Sequence, residues 1–153
     1  MKNRYFPKRQ SGNSLLEALV AILIFSLGLI GLLGLQSASI KNSIDAKYRT
    51  DASYFANQII AQMWVDRTNI DSYAYNETGT VCGTAVGGSS GNANVTSWLA
   101  QVANALPGTA STKAQIQVST PVASTKQVKV TVCWQGPNDT GAHNFATTAH
   151  INQ

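Results

Sequence analysis

The chain has 153 residues, of which 12% are charged and 44% apolar, with a formal net charge of +4. That is room for one domain of ordinary size, and the apolar share at low net charge disfavours a disordered chain. The whole excess charge sits in Met1–Gly12 (Lys2, Arg4, Lys8, Arg9, no acid) and the seven bases after it balance seven acids, so no basic footprint of a nucleic-acid binder exists and no such partner is expected.

The first element predicted is an apolar helix. Leu15–Leu35 reads LLEALVAILIFSLGLIGLLGL, with Glu17 and Ser26 as its only polar side chains. A bilayer takes about 20 predominantly apolar residues to cross. The basic stretch before the run keeps the N-terminus cytoplasmic and sends the rest across the membrane. Three readings compete. A secretory signal peptide has a shorter apolar region of about 7–15 residues and a small-residue cleavage site, for which Gln36-Ser37-Ala38-Ser39 is a poor match. A plain uncleaved anchor fits the length. The third reading starts from Glu17, whose carboxylate is costly inside an apolar run unless it snorkels, meets the helix dipole or is paired. A pairing cation would arise if the chain were cut just before Asn13, exposing a new α-amino group.

These residues resemble a known family. Ser11-Gly12-Asn13-Ser14-Leu15-Leu16-Glu17, behind a short basic leader and ahead of an apolar helix, is similar to the type IV prepilin cleavage motif. The resemblance implies cutting after Gly12 by a membrane-embedded prepilin peptidase, and N-methylation of the new terminus at Asn13. It also implies that Glu17 neutralises the terminal amine of a neighbouring subunit during filament assembly. The family usually has phenylalanine where Asn13 stands. Gly28, Gly31 and Gly34 recur every three residues, each weakening a helix by about 1 kcal/mol relative to alanine. They form a weak point through which, the resemblance implies, the helix can stretch within a filament; glycine is also simply common in membrane helices. This glycine pattern before Leu35-Gln36 resembles PilV-type minor pilins more than major pilins.

No proline occurs between Pro7 and Pro107. Beyond Gln36, Ile40, Ile44, Tyr48, Ala52, Phe55, Ile59 and Met63 recur at three- and four-residue steps, one helix face that reads as ordinary core packing. One helix is expected from about Ser14 to about Arg67, about 80 Å long at 1.5 Å per residue. The expected organisation is a leader over 1–12, a long helix over 13–68 whose part 13–36 serves membrane or filament core, and a head over 69–153. Gly83–Gly91 (GTAVGGSSG) reads as a flexible loop. Thr96 or Ser97 is expected to cap a short helix carrying Trp98, Leu99, Val102 and Leu106, ended by Pro107-Gly108. Strands are expected over 114–119, 127–134 and 145–151, with Val128, Val130, Val132 and Trp134 on one face of the second and Lys129, Thr131 and Cys133 on the other. The fold class is therefore α+β: a type IV pilin-like lollipop, with a small antiparallel sheet of three or four strands packed on the second half of a long N-terminal helix.

Cys82 and Cys133 are an even pair, which in an oxidising compartment suggests a bridge. Closing a loop of that size is worth roughly 4 kcal/mol in the entropic account; two unpaired thiols are the alternative. No metal and no cofactor are expected: the cysteine spacing is not a zinc pattern, and His143 and His150, seven apart in a polar tail, read as surface or sheet residues. Gly87-Gly88-Ser89-Ser90-Gly91 fits GxSxG only formally, without a buried strand before it. Asn76-Glu77-Thr78 fits a glycosylation sequon short enough to arise by chance. The expected function is structural rather than enzymatic: a minor pilin that primes or joins a type IV pilus. It starts in the inner membrane and ends at the cell surface. Implied partners are the prepilin peptidase, major and minor pilins, the inner-membrane assembly machinery and a pilus-tip adhesin. A type II secretion pseudopilin shares the N-terminal motif, and an uncut membrane-anchored periplasmic binding module is a reading of another class.

Overall fold

The computed structural model describes residues 13–152. The element order is α1 (Asn13–Val65), a 3-10 helix (Arg67–Tyr73), α2 (Ala93–Ala105), β1 (Gln115–Val122), β2 (Thr125–Trp134) and β3 (His143–Asn152), an α+β arrangement. The chain divides into two compact units, one ending at Ser43 and one beginning at Ile44.

The first unit is helix throughout its described residues, and every one of them is exposed. In the second unit, α1 buries Ala52, Phe55, Ala56, Ile59, Ile60 and Met63. The apolar stripe expected along this helix is thus covered only from Tyr48 onward. Ile40 is 61% and Ile44 45% exposed, because periodicity marks a face as apolar without supplying a layer to cover it. α1 ends at Val65, and the chain tightens into the 3-10 helix instead of running on to Arg67. Asp66 organises this turn: its carboxylate accepts hydrogen bonds from Asn69 Nδ2 (2.7 Å) and the Tyr73 hydroxyl (3.2 Å). Tyr73 is buried, and burial foremost pushes its hydroxyl above the usual tyrosine pKa, keeping it a neutral donor.

α2 starts earlier than expected. Its cap is Asn92, whose side chain accepts from the Asn94 N–H at 2.8 Å, and Thr96 already lies in the first turn, donating to the Asn92 carbonyl. Val95, Trp98, Val102 and Leu106 face the core. The Trp98 indole N–H donates to the Phe55 carbonyl at 2.9 Å, joining α2 to α1 inside the core.

The sheet is an antiparallel meander in the order β1-β2-β3, so β2 is central and hydrogen-bonded on both sides. β1 reaches Val122 and β3 begins at His143, both longer than alternation alone suggests. Val128, Val130, Val132 and Trp134 are buried on one face, as expected. The opposite face differs from a simple half-solvated sheet: Lys129 is exposed, whereas Thr131 and Cys133 are 2% and 1% exposed. The segment after the 3-10 helix covers them. Tyr75 pairs with Ile116, and the Gln115 amide, opposite Thr131 in the sheet, donates to the carbonyls of Asn76 (2.8 Å) and Gly79 (3.0 Å).

Part of the Gly/Ser loop is held in place by this layer. Asn76 donates its side-chain amide to the Ala114 carbonyl and accepts from the Gly87 N–H, while its own N–H reaches the Gly88 carbonyl. Gly79 and Gly87 pass so closely that a Cβ on Gly87 would overlap the Gly79 backbone, a close approach only glycine permits. Asn76, with φ of 54°, is fully buried, so the asparagine of that sequon is spent on structure.

Candidate functional site

Glu17 lies on α1, four residues after Asn13, the first described residue. An 18-residue stretch of this helix has a mean hydropathy of 2.7 and none of it is buried, unlike the core helix of a water-soluble domain. Leu15, Phe25 and Leu35 are each more than 70% exposed. Water opposes this by about 25 cal/mol per Å² of apolar surface, so lipid or other helices must surround the segment. The two polar side chains in the run behave differently. Ser26 returns its hydroxyl to the Ile22 carbonyl at 2.7 Å, the local bond that satisfies serine in an apolar medium. Glu17 has no hydrogen-bonding or ionic partner among the described residues. A carboxylate in such surroundings needs a partner supplied from outside.

Gly28, Gly31 and Gly34 lie within regular helix, with open space where each side chain would stand. Gly12 and the rest of the basic leader lie outside the described residues.

In the second unit, Cys82 and Cys133 form a disulfide with Cα atoms 5.5 Å apart. It ties the covering segment to the central strand β2. The sequence signal here was the even cysteine count. The buried pair Asn76 and Gln115 had no signal beyond the tolerance of asparagine for left-handed backbone. Ser90 of the GxSxG-like run donates its hydroxyl to the Ser72 carbonyl and accepts from the Asn92 N–H, at 2.7 and 3.1 Å. It organises the entry to α2.

Among acidic and histidine residues, the structure gathers Asp45 of α1, Asp139 of the β2–β3 turn and His143 at the start of β3. His150 is apart from them, opposite Gln127 near the other end of the sheet.

No curated protein and no solved structure matches the chain. Residues 7–33 match the family described as the prokaryotic N-terminal methylation motif. That span holds Gly12, Asn13, Glu17 and all of the apolar run up to Leu33, so the chain carries the N-terminal methylation motif of prokaryotic type IV pilin-like prepilins.

Proposed function

We propose that this protein is a minor pilin of a type IV pilus, of the PilV type, acting as a structural filament subunit and not as an enzyme. The observation that carries the reading is Glu17, a carboxylate inside the methylation motif and its apolar helix that has no hydrogen-bonding or ionic partner among the described residues. Prepilin peptidase cuts between Gly12 and Asn13 and frees an α-amino group, which is methylated. Glu17 of one subunit then meets the amine of the next, so that two groups costly alone in an apolar core compensate each other. Before assembly the protein sits in the inner membrane, with the leader cytoplasmic and 69–153 as an exported head. There it engages the assembly machinery and other major and minor pilins, and later a tip adhesin. The three glycines let the helix extend when the filament forms.

The test is the N-terminus and intact mass of this chain in filaments sheared from native cells. A chain beginning at Asn13 in that fraction is expected, with a mass that reports methylation and the Cys82–Cys133 bridge. An uncut chain found only in membranes would favour an anchored binding module. A chain cut at Asn13 but absent from surface filaments would favour a type II secretion pseudopilin.

A Glu17→Ala chain is expected to be cut normally and to remain in the membrane. Its incorporation should fall by about tenfold or more, since leaving one member of a desolvated pair unmatched costs several kcal/mol. Quantitative blotting of filament and membrane fractions measures this, and undiminished incorporation would remove Glu17 from the assembly contact.

A further inference from the structure

We propose that Asp45, Asp139 and His143 form a binding site for a first-row divalent cation of the Zn²⁺ type, which clips α1 to the turn between β2 and β3. One ligand atom from each of the three side chains lies within 4.8 Å of the other two. His143 Nε2 is 3.2 Å from Asp139 Oδ2. Tetrahedral zinc with bonds of about 2.0–2.1 Å places its ligand atoms about 3.3 Å apart, so this pair already spans one edge of a coordination tetrahedron. Asp45 is exposed, and its carboxylate lies within 4.8 Å of both other ligand atoms.

Two of the ligands are fixed before any ion arrives. The backbone N–H of Gly136 donates to Asp139 Oδ2 at 3.0 Å, and the Gln135 amide donates to the Asp139 carbonyl at 3.0 Å. The His143 ring stacks on Trp134, with centroids 5.9 Å apart and planes within 20°. Such outer contacts orient metal ligands and raise affinity. Asp45 is the third, adjustable ligand, and its carboxylate has no hydrogen bond or ion pair among the described residues. An imidazole with two carboxylates suits zinc and its neighbours, whereas calcium takes six to eight oxygens. Three protein ligands leave a fourth position for water or for a group from another molecule. The site does not depend on the pilin reading. Asp45 and His143 are far apart in sequence, so only the fold brings them together.

The experiment is a Zn²⁺ titration of the full chain in detergent micelles by calorimetry, with imidazole NMR reporting the histidines. One ion per chain is expected, with a shift of the His143 resonances. Asp45→Asn and His143→Gln should each weaken binding at least tenfold, and His150→Gln should leave it unchanged. Asp45→Asn is the decisive variant, because its exposed side chain holds nothing else in the fold; circular dichroism checks that helix and sheet persist. Substoichiometric binding, unchanged affinity in Asp45→Asn, or loss of binding in His150→Gln would each overturn the site and leave the Asp139–His143 contact without an ion.

Discussion

Replacing Trp98 with alanine is expected to cost the second unit about 3–5 kcal/mol, the range for emptying a large aromatic site in a packed core. Domains of this size are stable by about 5–15 kcal/mol in all, so the variant should unfold near or below physiological temperature. The reason lies in what Trp98 joins. It is fully buried, one of the largest side chains in the core, and its indole bonds to the Phe55 carbonyl on α1. The core cluster that contains it draws side chains from α1, the 3-10 helix, α2 and all three strands, so collapse into the void would have to shift several elements at once. Trp98→Phe keeps most of the ring and loses the hydrogen bond, for which about 1–2 kcal/mol is expected. Thermal melts of the full chain in micelles, read by near-ultraviolet circular dichroism, compare the three proteins. A melting temperature for Trp98→Ala close to that of the native protein would show that α2 is not an integral part of the core.

Removal of the disulfide is the second large effect. A Cys82→Ala, Cys133→Ala chain is expected to lose about 2–4 kcal/mol; the upper value is the loop-closure estimate for a bridge across 51 residues. The damage should be uneven. Cys82 holds a left-handed backbone with φ of 57°, which costs a non-glycine residue about 1 kcal/mol or more, and without the bridge the segment around it is free to leave that conformation. The bonds from Gln115 and Asn76 into the covering layer then weaken first, while the face packed on α1 keeps its apolar contacts. Hydrogen exchange should therefore accelerate most over residues 76–88 and least over 128–132. Uniform acceleration across the second unit would mean that the layer and the core unfold as one, and an unchanged melting temperature would contradict the stabilising role.

What the sequence reveals depends on how local each signal is. The apolar run, its glycines and Glu17 are read directly because a membrane-length segment is a matter of composition over twenty neighbouring residues. The meander is legible from alternation in 127–134, and the cysteine pair from its count. The start of α2 is obscured because Asn92, Asn94, Thr96 and Ser97 all have capping chemistry, and only the fold shows that Asn92 uses it. The burial of Thr131 is invisible because alternation assumes that one face of the sheet meets water, whereas here an irregular segment covers it. The gathering of Asp45 with His143 is invisible for the same reason: no periodicity relates a helix residue to a hairpin turn so far along the chain.

The two edges of the sheet are finished differently, and this bears on polymerisation. On β1, Tyr75 exchanges both backbone hydrogen bonds with Ile116, and the Glu77 carboxylate accepts from the Val118 N–H at 3.0 Å. On β3, which carries no Asp, Glu, Lys, Arg or Pro, no backbone bond from another segment reaches the outer edge among the described residues. Edge-to-edge growth of like molecules in one direction requires each copy to offer a donor edge and a receiving edge. At β1 the middle of the outer edge is already taken, at Ile116 and Val118, so accidental pairing in series meets an occupied edge there, whereas β3 lies open.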